Sequence, residues 1–236
     1  MTKLPSIQIF ADGAVLEDVG PLIERYAVKG FTTNPTLMAK AGIRDYEGFA
    51  RKILAAAGAL PVSLEVFADD MSEMERQARK LASWGDNVFV KIPITNTRRE
   101  STHDLVRSLS AAGVKLNVTA VLTTEQVDRL VPNLAAGVPA IVSVFAGRIA
   151  DTGVDAVPIV RHAVEALRGV PRAQVLWASC REIYNIVQAA SAGCHIVTVP
   201  NDMLKKLDGL GRDLGELSLD TVKMFRNDAL ASGFVL

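Results

Sequence analysis

A lysine lies in the middle of an apolar segment of this sequence. Lys91 stands between Val90 and Ile92 in NVFVKIPIT, residues 87–95. A short run rich in valine, isoleucine and phenylalanine is typical of a buried strand, where an unpaired ammonium group is costly. Burial favours the neutral amine, and its lone pair can condense with a ketone to form a Schiff base. The lysine is therefore a candidate nucleophile.

Polar side chains in other short segments could complete this chemistry. A Schiff base accepts electrons, so a nearby carbon–carbon bond can break if a carboxylate moves protons and amide or hydroxyl groups hold the substrate. The residues of these types are Asp12, Asn34, Glu65, Asn117, Thr119 and Ser143. An inert ion pair between Lys91 and Glu65 is a simpler interpretation. Asp12 and Asn34 also fit ordinary turns, because a glycine and a proline follow them.

Eight short apolar segments predict eight β-strands. They cover residues 7–11, 30–33, 62–67, 88–94, 115–122, 140–146, 174–179 and 195–200. Helical periodicity fills the intervals, for example between a cap at Asp70 or Ser72 and Gly85, and after a cap at Thr123. This alternation predicts a closed (β/α)8 barrel of the TIM type, an α/β fold, because an open doubly wound sheet more often has about five or six strands.

The alternation of side chains along each strand predicts which residues point into this barrel. Successive side chains point to opposite faces, and one face of each segment is aliphatic. That face must pack against the helices, and in the fifth strand it would include Leu116, Val118 and Ala120. The residues on the inward face are then Glu65, Lys91, Asn117, Thr119 and Ser143.

Composition favours one globular unit and argues against several classes of partner. The 236 residues are 49% hydrophobic and 22% charged, which suits a single barrel domain over 1–236 in which 209–236 forms a C-terminal helical extension. Lys and Arg together number 26, as do Asp and Glu. The chain therefore has no net positive charge to attract nucleic acid, and we expect no nucleic-acid partner. No segment suits a signal peptide or a membrane span, and we expect a cytoplasmic protein without a membrane partner.

Cysteines and histidines give no sign of a metal site. Cys180 and Cys194 have no zinc or disulfide spacing, and His103, His162 and His195 form no ligand pattern with them. We expect no metal, no disulfide and no other cofactor. Cys180 fits a small buried residue better than a nucleophile, because no base lies beside it in the sequence.

Six ordered motifs resemble those of one enzyme family. They are GFTTNPTLM, SLEVF, VFVKIPIT, LNVTAVLT, SVFAGRIAD and WASCREI. Together with Asp12 they look like transaldolases and the related fructose-6-phosphate aldolases, and the resemblance runs from residue 12 to about 200. It implies an enzyme whose partners are sugar-phosphate substrates.

The resemblance also implies a role for each matched residue. Lys91 would form the Schiff base, and Asp12 would be the general acid and base at the bond that breaks. Glu65 and Thr119 would position the water that forms and hydrolyses the imine. The residues implied to hold the dihydroxyacetone unit are Asn34, Asn117 and Ser143. The residues implied to bind the phosphate are Arg148, Ser179 and Arg181, although without the resemblance the two arginines fit ordinary surface positions.

Three functions are compatible with these residues. One is a transferase that moves a dihydroxyacetone unit from a ketose phosphate to an aldose phosphate, and another is a lyase that releases dihydroxyacetone. Glu65 and Phe145 favour the transferase, because the aldolases of the family resemble each other in having glutamine and tyrosine there. The third is a barrel that binds sugar phosphates without catalysis, which would not need a buried amine.

The sequence departs from the family pattern at two places near the expected site. Arg98 and Arg99 follow the fourth strand, where they could bind a second anionic group or simply face solvent. Glu182 directly follows Arg181 and could weaken the phosphate site.

The C-terminal segment predicts a homo-oligomer. Val222, Phe225 and Leu230 lie on a helix-like segment after residue 209 and need a surface to cover them. A barrel already ringed by helices offers little room, and the short members of the family resemble this chain in swapping such a helix onto a neighbour. We therefore expect an assembly of several copies.

Overall fold

Eight parallel strands close into a barrel in the computed structural model, which describes residues 6–13 and 15–235. The strands follow the order of the chain and are Gln8–Asp12 (β1), Phe31–Thr32 (β2), Val62–Glu65 (β3), Val88–Pro93 (β4), Leu116–Val121 (β5), Ala140–Val144 (β6), Ala173–Trp177 (β7) and Ile196–Pro200 (β8). All eight fall within one residue of the predicted segments or inside them. The closed barrel confirms the (β/α)8 prediction.

α-Helices follow the strands around the outside of the barrel. They are Val19–Tyr26 (α1), Pro35–Lys40 (α2), Tyr46–Ala57 (α3), Met71–Ala82 (α4), His103–Ala111 (α5), Thr124–Leu130 (α6), Ala146–Ala150 (α7), Val157–Ala166 (α8), Tyr184–Ser191 (α9), Asn201–Leu204 (α10) and Leu214–Ala231 (α11). The Asp70 carboxylate caps α4 by accepting from two backbone N–H groups at 3.0 Å. Thr123 begins α6 with a capping box. Both starts were predicted from the side chains that supply an N-cap oxygen.

The main apolar core lies between the strands and the helices. Val62 and Leu64 of β3 and Val90 and Ile92 of β4 are fully buried there. A smaller apolar cluster fills the inside of the barrel, and its buried members are Phe10, Ile141, Leu176, Ala178 and Ile196. The predicted division of each strand into a helix-facing side and an inward side is therefore confirmed for β3 and β4.

The prediction for Ala120 in β5 is wrong. The register between β5 and β6 shifts between Val118 and Val121. Ala120 adopts a left-handed conformation with φ of 60°, and Val121 takes its place in the fully buried core. Such a bulge inserts one residue into the strand, so simple alternation fails after Thr119.

The C-terminal helix α11 is exposed along its whole length. None of its 18 residues is buried, and large apolar side chains project from it. Those side chains are Leu214, Leu217, Leu219, Val222, Met224, Phe225 and Leu230. Within the described ranges, we find no helix of the length and apolar character that a membrane span requires.

A close contact between two backbone segments joins the carboxyl ends of β6 and β7. Gly147, in α7 after β6, donates its N–H to the carbonyl of Ala178 at 3.3 Å. A Cβ atom at Gly147 would lie 1.6 Å from the carbonyl oxygen of Ser179. Ser179 itself has a left-handed φ of 67°. Only glycine allows this approach, because neither backbone segment is a flexible side chain that could move aside.

Gly147→Ala should therefore destabilise the fold. Overpacking of a buried position costs about 1–3 kcal/mol in the free energy of unfolding, and a clash with backbone belongs at the upper end of that range. The control is Gly20→Ala in α1, where an added Cβ meets open space. Urea denaturation followed by circular dichroism compares the two variants. Equal stability of both would show that the Gly147 contact relaxes without cost.

Candidate active site

All eleven residues predicted for the site line one cavity at the carboxyl ends of the strands. The cavity has a volume of about 500 Å³. These residues are Asp12, Asn34, Glu65, Lys91, Asn117, Thr119, Ser143, Phe145, Arg148, Ser179 and Arg181. Parallel strands of a barrel end at the same rim, which is why residues far apart in sequence meet here. Another cavity, of about 590 Å³, lies at the opposite end of the barrel near Gln8, Gln174 and His195.

Lys91 and Glu65 form an ion pair inside the barrel. They are direct partners in the register between β3 and β4. Lys91 Nζ lies 3.0 Å from Glu65 Oε2 and also donates to the carbonyl oxygen of Thr33 at 2.8 Å. The two side chains are only 8% and 20% exposed. The carboxylate is thus within reach to exchange a proton with the amine, the geometry required of a general acid or base.

The Tyr46 hydroxyl fixes the backbone of Glu65. It accepts from the Glu65 N–H at 2.9 Å and donates to the Glu65 carbonyl at 3.1 Å. β2 ends at Thr32, so it does not extend far enough to pair with these two groups of β3. Burial raises the pKa of Tyr46, which keeps the hydroxyl protonated as a donor. This role was not predicted from the sequence, because Tyr46 begins a helix that is distant from Glu65 along the chain.

A second carboxylate, Asp12, lies at the end of β1. Its Oδ1 accepts a hydrogen bond from the Thr32 hydroxyl at 2.8 Å. Burial raises the pKa of Asp12, while the positive charge of Lys91 and the hydrogen bond from Thr32 oppose that rise. A carboxyl group with a raised pKa can take up and return a proton closer to neutral pH than a solvated one. Asp12 therefore suits a general acid and base.

Amide and hydroxyl groups form a connected wall on β3, β5 and β6. Asn117 Nδ2 donates to Ser63 Oγ at 3.0 Å, and Ser143 Oγ donates to Asn117 Oδ1 at 2.6 Å. These bonds orient the amide before any ligand binds. The hydroxyl of Thr119 is buried and has no hydrogen-bond partner among the described residues. A buried hydroxyl without a protein partner is able to bind a water molecule or a substrate group.

Asn34 combines a structural contact with a position on the cavity. It is the N-cap of α2, where its Oδ1 accepts from the Leu37 N–H at 3.0 Å. The side-chain oxygen of Asn34 is therefore used in the local turn, as its position before a proline suggested. The amide nitrogen is the group left to bind a ligand.

Two arginines line one end of the cavity. Arg148 lies with its guanidinium carbon 5.7 Å from the centre of the Phe145 ring, within range of a cation–π contact. Arg181 binds Asp151 through two nitrogens, with Nε 3.0 Å from Oδ1 and Nη2 in contact with Oδ2. This pair lowers the pKa of Asp151, which stays ionised and fixes the guanidinium plane. Two oriented guanidinium groups suit a phosphate.

The other residues considered from the sequence lie outside this chemistry. Arg98 is paired with Asp69 at 3.1 Å and Glu100 at 2.9 Å, and neither Arg98 nor Arg99 lines the cavity. Burial raises the pKa of Cys180 to about 12, so its thiol is a poor nucleophile although it lines the cavity. Among residues 6–13 and 15–235, no three metal-binding side chains come together.

Sequence reasoning missed several residues of the site. Thr32 and Thr198 are buried in strands and face the cavity, so the same alternation that identified Glu65 could have identified them. Lys40, an exposed residue of α2, is a second amine on the cavity rim. Asp151 binds Arg181 across 30 positions of sequence, and no local pattern predicts such a pair.

Comparisons with known proteins identify the family of this chain. The sequence pattern of the family described as Transaldolase/Fructose-6-phosphate aldolase matches residues 9–233. A protein named "Probable transaldolase" from Dehalococcoides mccartyi is 37% identical over 202 residues, which are 85% of this chain and 90% of that protein. "Probable transaldolase 2" from Listeria monocytogenes is 35% identical over 203 residues, covering 85% of this chain and 88% of the relative.

A solved structure shares the fold. A crystal structure of a Burkholderia cenocepacia J2315 protein superimposes with a TM-score of 0.60, covering 100% of this chain and 89% of the other at 16% identity. That identity shows the common barrel alone. The family pattern and the identities of the relatives carry the assignment: this chain belongs to the transaldolase/fructose-6-phosphate aldolase family.

Proposed function

We propose that this protein is a transaldolase, which transfers a dihydroxyacetone unit from a ketose phosphate to an aldose phosphate through a Schiff base on Lys91. The observation that carries the proposal is the buried Lys91 amine, 3.0 Å from Glu65 and in one cavity with the second carboxylate of Asp12. Membership of the family supports an enzyme of this class.

The proposed reaction begins with the attack of the neutral Lys91 amine on the ketone carbon of the donor sugar. The carbonyl oxygen leaves as water and a C=N bond replaces the C=O bond. Glu65, 3.0 Å from Nζ, is the group that takes the ammonium proton and helps to protonate the departing oxygen. The unpartnered hydroxyl of Thr119 would hold the water on the same side.

Asp12 would then act at the bond that breaks. It removes the proton from the hydroxyl two carbons beyond the imine carbon, that hydroxyl becomes an aldehyde, and the electron pair of the broken C–C bond moves into the iminium. An enamine of dihydroxyacetone stays on Lys91. When an acceptor aldehyde arrives, the enamine carbon attacks it and Asp12 returns the proton. The raised pKa of Asp12 suits both directions of this transfer. Water held by Glu65 and Thr119 would then hydrolyse the resulting iminium, which releases the ketose product and the Lys91 amine.

The remaining cavity residues would bind and orient the substrate. The hydrogen-bonded wall of Ser63, Asn117 and Ser143 provides donors and acceptors for sugar hydroxyls. Arg148 and Arg181 would bind the phosphate, with Ser179 beside them. Sugar-phosphate substrates, the cytoplasmic location and the absence of nucleic-acid and membrane partners stay predictions.

Borohydride trapping tests the Schiff base. Reduction in the presence of fructose 6-phosphate should inactivate the protein and add the mass of a reduced three-carbon unit to the peptide that contains Lys91. Lys91→Arg should take no label, because a guanidinium group does not condense with the ketone. Lys40→Arg is the matched control, since Lys40 is the exposed amine on the cavity rim, and it should label like wild type. Label on Lys40, or none on either lysine, would contradict the mechanism.

The second candidate function is a fructose-6-phosphate aldolase, which releases dihydroxyacetone by hydrolysis of the imine. In our proposal, Phe145 favours the transaldolase over the aldolase. Its phenyl ring lines the cavity but has no hydroxyl group that could bind the water needed for hydrolysis. An imine protected from hydrolysis survives until an acceptor binds. A barrel that binds without catalysis would show neither product.

Phe145→Tyr should raise the ratio of released to transferred three-carbon units severalfold, and Glu65→Gln in the same chain should raise it further. The ratio is measured with fructose 6-phosphate as donor and saturating erythrose 4-phosphate as acceptor. Phe67→Tyr is the control, because Phe67 is 52% exposed and lies outside the cavity. If wild type already releases dihydroxyacetone as fast as it transfers it, the aldolase function is correct and the transferase is not.

We also propose that the protein is a homo-oligomer in which α11 packs against another copy. The apolar side chains of Val222 and Phe225 are 60% and 63% exposed, which is unfavourable in an isolated chain. Sedimentation velocity should show a particle larger than one chain. Val222→Asp with Phe225→Asp should dissociate it, whereas Lys223→Ala on the same helix should not. A wild-type monomer at all concentrations would contradict this proposal.

A further inference from the structure

We propose that Thr32 and Thr198 form a chain of hydroxyl groups that holds the Asp12 carboxylate in its ionised form as the base for bond cleavage. Thr32 and Thr198 are then positioning residues, because they act through Asp12 and need not touch the reacting atoms. This inference rests on the proposed function for its kinetic consequence. Its geometric basis is independent of the substrate.

The direction of the hydrogen bonds follows from the number of protons. The Thr32 hydroxyl donates to Asp12 Oδ1 at 2.8 Å. It also lies 2.5 Å from the Thr198 hydroxyl. An ionised Asp12 can only accept, so the one proton of the Thr32 hydroxyl goes to it, and Thr32 then accepts from Thr198. The chain therefore runs from Thr198 through Thr32 to Asp12, and each bond increases the donor strength of the next.

The three residues are held by adjacent strands of the barrel. Asp12 and Thr32 are direct partners in the register of β1 and β2, and β8 pairs with β1 on its other side. Thr32 and Thr198 are each 4% exposed and both line the cavity. A hydrogen bond to a charged group is strong at such a depth, because little water competes for it.

The surroundings of Asp12 include groups that favour its carboxylate form and groups that oppose it, and the hydrogen bond from Thr32 is one of those that favour it. Burial disfavours the carboxylate, and so does the negative charge of Glu65 on β3, while Lys91 on β4 favours it. From the segment after β7, the thiol of Cys180 is neutral at physiological pH, since burial and Asp12 raise its pKa to about 12. α10, beside β1, begins with Asn201, whose side chain binds Asp18 instead of Asp12.

Lys91 cannot support the Asp12 carboxylate throughout the proposed reaction. The amine has to lose its positive charge before it attacks the ketone, the nitrogen is charged again as the iminium, and cleavage leaves it neutral in the enamine. Thr32 carries no charge that the reaction alters, so its hydrogen bond is present at every step. Of the two groups that favour the ionised form, the hydroxyl is therefore the permanent one.

The test is a carbon-13 NMR titration of aspartate carboxyl groups in the unliganded protein, with the Asp12 signal assigned by Asp12→Asn. In Thr32→Val the midpoint of the Asp12 titration should move to higher pH, because the charged form loses a donor. Thr32→Ser retains the hydroxyl and should restore the wild-type midpoint. Thr198→Val should move the midpoint in the same direction by less, and add nothing to Thr32→Val. An unchanged midpoint in Thr32→Val overturns the inference, whether or not the protein is active.

The pH profile of cleavage provides a second readout. Asp12 accepts a proton as a carboxylate, so a higher midpoint moves the acid limb of kcat to higher pH. Below that limb, kcat of Thr32→Val should fall roughly ten- to a hundredfold, the value of a hydrogen bond to a charged group. At alkaline pH it should approach wild type, and KM should change little. An equal loss at every pH would assign Thr32 to packing alone and overturn the inference.

These outcomes separate the inference from the proposed function. A wild-type protein that neither cleaves fructose 6-phosphate nor takes the borohydride label would overturn the proposed function. The NMR titration would still decide whether Thr32 holds the Asp12 carboxylate. Thermal melts show whether the variants fold. If Thr32→Val does not fold, Thr198→Val supplies the test, because an unchanged midpoint in that variant would remove the hydroxyl chain.

Discussion

The ion pair between Lys91 and Glu65 constrains the arrangement of the upper part of the barrel. Removing one partner of a buried pair typically costs about 3–5 kcal/mol, because an uncompensated charge is left behind. The pair forms only if β3 and β4 meet in the observed register and the Glu65 backbone stays in place. Tyr46 provides that second condition from α3, at the point where β2 is too short to do so. Tyr46, on a helix outside the barrel, thus helps to position the Glu65 carboxylate inside it.

Two carboxylates share this cavity in different surroundings. Glu65 lies against the ammonium group of Lys91, whereas Asp12 is bound by a neutral hydroxyl and carries a raised pKa through burial. Carboxyl groups whose environments differ in this way can serve different steps of one reaction. In the proposed mechanism, Glu65 handles the protons of imine chemistry and Asp12 handles the proton at the carbon–carbon bond.

The two arginines at one end of the cavity are oriented before any anion binds. Asp151 holds the plane of Arg181, and the Phe145 ring lies beside Arg148. The close approach of Gly147 to the Ser179 backbone fixes the distance between the segments that carry these arginines. Because a long side chain loses entropy when a ligand orders it, arginines that are already oriented bind a phosphate at lower cost. The balance of 26 basic and 26 acidic residues over the chain does not predict this pair of arginines.

Sequence patterns alone were enough to predict the eight strands, the helix caps at Asp70 and Thr123, and the inward position of Lys91 and Glu65. These features depend on local rules, since side-chain alternation and N-capping act within a few residues. Alternation also failed locally, at the bulge near Ala120. Three contacts were found only in the folded chain: Tyr46 binds Glu65, Thr198 and Thr32 lead to Asp12, and Asp151 orients Arg181. Each of these contacts joins distant parts of the chain, and it exists because closure of the barrel brings separate strand ends to one rim.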